Sequence, residues 1–340
     1  MTPQLYVATN GLSVWSSRDL GETISRMPSS TGLYSGSQVW ALAVHPTEPG
    51  VLLAGTDSGV YRLDHGAQQW THLPSPMDDR LVTALAFSPD NPNVIVAGTQ
   101  PSALFRSDNG GATWTAIDTG MKPFVASGFF KGEQPLTPSA KPPGLVRHWT
   151  RVTQIVFDPR DSDLVWAGVE IDGAWRSRDG GKSWTRTSDG LRNEDVHGLA
   201  VMRDGGRVLF ATTAGGVHVS HDDGTTWTPQ AIASPWQYVR SIVPRPDGSG
   251  TLYLTNGNGP PGSDGRLYRS SDVGKTWRQV KLPGRLESSV YFLAVHPSDP
   301  KLMFLAATLG QLYRSVDGGE SWVSLPRRLG EVRAIAWMPG

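Results

Sequence analysis

The sequence predicts an all-β fold, a seven-bladed β-propeller of four-stranded blades closed by pairing of its N- and C-terminal strands. Three observations carry that prediction. The 340 residues include 39 Gly, 26 Pro and 13 Trp, a turn-rich composition. One turn motif recurs along the chain, and one apolar strand motif recurs ahead of it. Copies fall about 45 residues apart, and self-similarity at such a period marks stacked repeats.

The turn motif reads SRDLGETI from Ser17, SDNGGATW from Ser107 and SRDGGKSW from Ser177. It returns as SHDDGTTW from Ser220, SSDVGKTW from Ser270 and SVDGGESW from Ser315, with a degenerate LDHGAQQW ending at Trp70. The strand motif reads VWALAVHP from Val39, VTALAFSP from Val82, VTQIVFDP from Val152 and VHGLAVMR from Val196. VRSIVPRP from Val239, VYFLAVHP from Val290 and VRAIAWMP from Val332 complete the series. The first turn lacks a strand before it, and the last strand lacks a turn after it, so the two ends complete one unit.

Each unit is expected to hold an apolar strand A, a strand B such as VLLAGT, a strand C such as GVYRL, the boxed turn, and a strand D opening on Trp. Four-stranded units of this length stack radially as blades. Pairing of 332–338 with 5–9, itself followed by 12–16, removes the open edge. One ring accounts for residues 1–340 as a single domain, with a loop inserted at about 118–150.

The pattern S-x-D-x-G-x-T-W resembles the Asp-box, or bacterial neuraminidase repeat, along essentially the whole chain. It is similar to that of sialidase-like and WD40-like seven-bladed propellers, of xyloglucan-degrading propeller glycosidases, of sortilin-type receptors and of photosystem II assembly factors. The resemblance implies the fold and leaves function open, because the group holds enzymes and non-enzymes. Sialidases carry an Arg-Ile-Pro segment that this chain lacks, and their ring has six blades. Xyloglucan-type enzymes place their acids between two propellers, where this chain has one.

The repeat itself argues that Asp179 is structural. A carboxylate in a tight turn accepts backbone N–H bonds, Gly180 and Gly181 supply positive φ, and Trp184 packs beneath. The same reading covers Asp19, Asp222, Asp272, Asp317 and the variant Asn109. Chemistry is expected at the opposite ends of the blades, where the repeats differ.

Three departures point there. The position after the leading Val of strand A reads Trp40, Thr83, Thr153, His197, Arg240, Tyr291 and Arg333. Five of these form a contiguous polar and aromatic arc from blade 5 round to blade 2. Arg240 and Arg333 are expected to clamp an anionic group, with Trp40 as a stacking wall and Tyr291 orienting or donating. The insertion is rich in Gly, Pro and Phe with an excess of Lys and Arg, which suggests a lid beside the two threonines. Blade 4 has a B–C loop carrying Glu170 and Asp172; Glu170 is expected to pair with His197 for acid–base work, with Asp195 in reserve and Asp172 among the ligand-binding residues.

Composition excludes other classes. Lys+Arg and Asp+Glu are both 31, so no basic footprint suggests nucleic acid. No cysteine is present, which rules out disulfides and thiolate chemistry. No leader and no span of transmembrane length is visible, so no membrane role and a cytoplasmic location are expected. No cofactor is expected, and His197, Glu170 and Asp195 lack the spacing of a metal site. HExxH, GxSxG and phosphate-loop patterns are missing. The expected ligand is a small anionic or sugar-like molecule met by a hydrolase or lyase, the alternative being a non-catalytic protein scaffold using the same face.

Overall fold

A computed structural model describes residues 3–48, 50–64, 66, 68–126 and 147–338. The fold is the all-β propeller expected, with seven four-stranded antiparallel sheets among the described residues. The innermost strands are Val39–Val44, Leu81–Phe87, Val152–Asp158, Val196–Asp204, Tyr238–Pro244, Val290–Val295 and Val332–Met338. Numbering blades from the one that closes the ring, the last of these belongs to blade 1 and the first to blade 2. Closure pairs Gln4 with Met338, Leu5 with Trp337 and Ala8 with Ala334. The strand Gln4–Thr9 is buried throughout, so both chain ends are tied into one sheet. Among the described residues no helix is long and apolar enough to cross a membrane.

The core lies between blades rather than within a single sheet. Leu5, Val7 and Trp15 of blade 1 pack on Phe304 and Leu312 of blade 7. Phe210 and Val217 of blade 5 pack likewise on Leu254 and Tyr268 of blade 6. Each such aliphatic or aromatic side chain contributes about 1.5–3 kcal/mol when fully buried. Near the channel the contact is tighter. A Cβ on Gly168 would stand 2.7 Å from Val196 Cγ1 of the next blade, so this position requires glycine for close approach.

The boxed turns fold as their residues dictate. Ser177 Oγ donates to Asp179 Oδ1 at 2.7 Å and accepts the Gly181 N–H at 2.8 Å. Asp179 also accepts the N–H groups of Lys182 and Ser183, each at 2.9 Å, and the Ser183 hydroxyl at 2.5 Å. Trp184 closes the turn by donating Nε1–H to the Gly181 carbonyl at 3.0 Å. Asp19, Asp222, Asp272 and Asp317 repeat the carboxylate bonds to the box hydroxyl.

In three blades an arginine before the box serine adds a latch to the next blade. Arg106 donates to the Gly180 carbonyl, Arg176 to that of Asp223 at 3.0 Å, and Arg314 to that of Leu20 at 2.9 Å. All three carbonyls occupy the same place in the next blade's box. The insertion enters and leaves as a short ribbon, with Phe124 facing Trp149 and Ala126 facing Arg147. The lid expected there falls largely on 127–146, which lie outside the described residues.

The turn hydrogen bonds predict an acid limb to the stability curve. Burial pushes the Asp179 carboxyl up, but bonds from Ser183, Ser177 and Lys182 outweigh it and hold it at about 2, below its ordinary 3.8. Asp222 and Asp272 are also held at about 2. A carboxylate held low stabilises the fold above its ordinary value, and that stabilisation is lost as pH falls towards 2. Denaturant melts should therefore weaken progressively below about pH 4. Asp179→Ala should cost about 1–2 kcal/mol at pH 7 and flatten this limb.

Candidate functional site at the channel mouth

Each innermost strand slips register one residue after its leading Val or at the equivalent closing position. The slips fall between Val39 and Ala41, Val82 and Ala84, Val152 and Gln154, Val196 and Gly198, Val239 and Ile242, and Val290 and Phe292. In blade 1 the partner strand pairs Ala8 with Ala334 and Thr9 with Val332, skipping Arg333. A β-bulge leaves its extra residue outside the ladder and re-aims the side chain. Here the Val goes into the interblade core, and the residue after it turns to the channel. Trp40, Thr83, Thr153, His197, Arg240, Tyr291 and Arg333 accordingly line one cavity of about 280 Å³.

A bulge also frees backbone groups that must find partners. Thr83 Oγ1 donates to the Val152 carbonyl at 2.6 Å, and Thr153 Oγ1 to that of Val196 at 2.8 Å. His197 Nδ1 meets the Val239 carbonyl at 2.6 Å, the equivalent acceptor one blade on. Its Nδ1 therefore donates as the threonines do. Nε2 lies 3.1 Å from Asp195 Oδ2, and the side chain is 1% exposed. Both ring nitrogens are thus committed, which leaves neither for a ligand in this arrangement. Burial pushes Asp195 up, yet His197, Arg240 and Arg151 outweigh it and hold its carboxyl below the usual range.

Residues two before the ring position share its face, since side chains alternate along a strand. They form an upper tier above the ring, and in three blades the upper side chain engages the lower one two positions on. Asp195 holds His197, Glu331 contacts Arg333, and Tyr238 accepts from Arg240 Nη1 at 3.0 Å. Arg151 belongs to this tier in blade 4, paired at 2.9 Å with Glu170. Arg151, Asp195, Tyr238 and Glu331 line a second cavity of about 930 Å³ that opens above the ring. Its apolar wall includes Pro260, Leu309 and Trp149, a residue 51% exposed.

Aromatic faces carry the arginines. The Arg333 guanidinium stands 3.6 Å from the Trp40 ring centre and that of Arg151 4.8 Å. Arg240 stands 4.1 Å from the Tyr291 ring centre and 5.6 Å from that of Tyr238. Burial, then the nearby Arg151 and Arg240, bring Arg333 down to about 10 despite Glu331. For Arg240 burial opposes the charge, while Tyr238, Tyr291, Glu170 and Asp195 outweigh it.

The structure brings His197, Arg240, Tyr291, Arg333 and Trp40 together, and it redraws their partners. Glu170 reaches the mouth but binds Arg151, so the expected Glu170–His197 pair is replaced by Asp195–His197. Asp172 lines neither cavity; its carboxylate accepts the Lys122 N–H at 3.3 Å and lies 3.5 Å from Arg186. Trp40 lends its ring to two arginines rather than standing as a bare wall. Among the described residues no three His, Asp or Glu side chains are grouped to hold a metal ion. Arg151, Tyr238, Glu331 and Trp149 were not anticipated, although a period-two reading from the ring position would find the first three.

Residues 215–338 match the Sortilin-Vps10 family, described as sortilin, neurotensin receptor 3. Over 84% of its length the chain is 26% identical to a xyloglucanase of Hypocrea jecorina, of which it covers 38%. Over 80% it is 26% identical to a xyloglucanase of Paenibacillus, of which it covers 29%. The chain thus spans well under half the length of these relatives. Among solved structures, the GH74 xyloglucanase of Xanthomonas campestris superposes with a TM-score of 0.62 at 24% identity, over 84% of this chain and 45% of that one. YCF48 of Cyanidioschyzon merolae gives 0.56 at 16% identity over 85% of each chain. These structural likenesses show the fold.

The interblade role of His197 predicts a stability phenotype. His197→Ala leaves the Val239 carbonyl and Asp195 without their donor and should cost about 1–3 kcal/mol in chemical denaturation. His197→Thr, which repeats the arrangement of Thr83 and Thr153, should recover part of that loss.

Proposed function

We propose that the chain binds an oligosaccharide at the channel mouth. The observation that carries this reading is the upper cavity, where half-exposed Trp149 faces a floor crowded with polar groups. Sugar rings present apolar C–H faces and hydroxyls that both donate and accept. Trp149, Pro260 and Leu309 offer surface to the first, while Glu170, Glu331 and Arg151 offer partners to the second. The xyloglucanase relatives support carbohydrate as the ligand class, and the boxed turns support an Asp-box propeller as the frame.

Hydrolysis is the second reading, supported by those relatives and by Glu170 and Asp195 facing one cavity. Glycosidases use two carboxyls, one of them protonated. Here Glu170 and Glu331 each end on an arginine and Asp195 on His197, so no carboxyl is arranged as the proton donor. The resting geometry favours binding, and cleavage requires the Arg151–Glu170 pair to open.

Titration calorimetry with a panel of neutral xyloglucan and uronate oligosaccharides tests binding. At least one should bind, and Trp149→Ala should weaken it by about tenfold or more, about 1.4 kcal/mol. Release of reducing ends that disappears in Glu170→Gln and Asp195→Asn would add hydrolysis. No binding by any oligosaccharide would overturn the reading and favour a protein partner at this face.

A further inference from the structure

Arg240 differs from the other arginines of the mouth. It is 8% exposed and lines both the channel and the upper cavity. Arg151 has Glu170 and Arg333 has Glu331, but among the described residues no carboxylate oxygen lies within 4.0 Å of Arg240. The reason is visible in the chain. Blade 1 carries Glu-Val-Arg at 331–333, whereas blade 6 carries Tyr-Val-Arg at 238–240. The same register that gives Arg333 an acid gives Arg240 a phenol, which accepts one hydrogen bond and carries no compensating charge. Glu170 and Asp195 act on this nearly buried guanidinium only from a distance, and a carboxylate bound against it would supply the paired hydrogen bonds that it lacks.

The surroundings select the anion. Arg151 and Arg333 are each paired with an acid at the mouth, so Arg240 is the guanidinium placed to receive one carboxylate of a ligand. A guanidinium fork matches a planar carboxylate through paired hydrogen bonds. The remaining carboxylates accept from hydroxyls, and Trp149 offers a flat apolar face. An inorganic phosphate would bring no array of hydroxyls to satisfy these carboxylates and no flat apolar face for Trp149.

We propose that Arg240 is the receptor for a carboxylate on the sugar, and that the mouth therefore takes a uronic-acid oligosaccharide. This inference rests on the carbohydrate reading above. It makes Tyr238 a specificity-determining residue, because its phenol leaves the Arg240 charge free for the ligand.

The test compares galacturonate, glucuronate and mannuronate trimers with their methyl esters, the same sugars without charge. Calorimetry on the full chain should find at least one acid binding about tenfold or more tighter than its ester. Arg240→Gln should abolish the difference. Tyr238→Glu, which rebuilds the blade 1 arrangement in blade 6, should abolish it too while keeping the arginine. Asp179→Ala, on the boxed turn, should leave it unchanged. Should either mouth variant fail to fold, the acid-to-ester ratio of the unmodified protein still decides. Equal binding of acid and ester, or an acid preference that survives both variants, would overturn the role of Arg240 while leaving carbohydrate binding intact. No binding of acids, esters or neutral xyloglucan oligosaccharides would overturn both.

Discussion

The β-bulge at the mouth end of each innermost strand is the constraint on which the rest of the structure depends. It sends the leading Val into the interblade core and the next residue into the channel. It also frees a Val carbonyl that needs a donor from the preceding blade. Thr83, Thr153 and His197 meet that need in three successive blades. A polar ring is therefore built into the packing of the propeller before any ligand is considered. Blades whose ring residue leaves that carbonyl alone, as Arg240, Tyr291 and Arg333 do, have side chains available for other work.

The two ends of the blades divide the labour accordingly. At the boxed turns the serine and aspartate find their partners within their own turn, and that solution repeats in five blades. At the mouth the solution varies from blade to blade. Two strands pair an acid with the basic residue two positions on, and one substitutes a tyrosine. Aromatic faces then support guanidiniums that burial would otherwise disfavour. The result is a cavity nearly neutral overall but locally unbalanced at Arg240.

Much of this was legible in the sequence, because the repeated turn has strict chemical needs. Asp179 with Gly180, Gly181 and Trp184 can be read as a turn from one copy and as a propeller from seven. Ring closure was legible because one end lacked a strand and the other lacked a turn. The ring residues were legible as polar breaks in apolar strands. Their partners were not. Glu170 and Asp195 lie near His197 on neighbouring loops, and only the side-chain directions decide which carboxylate reaches the imidazole. Asp172 turns away because the Ile171 backbone at φ 69° reverses the loop between it and Glu170. The arginine latches escaped notice because an Arg before a serine has no signature until the next blade's carbonyl is placed beside it.

The central claim is that ligand chemistry sits on the bulge ring while the boxed turns are frame. A crystal structure with a bound uronate trimer tests it most directly. The account predicts a ligand carboxylate within hydrogen-bonding distance of Arg240 and a sugar ring against Trp149. A trimer seated on the boxed turns, or at the mouth with its carboxylates turned away from Arg240, would contradict it.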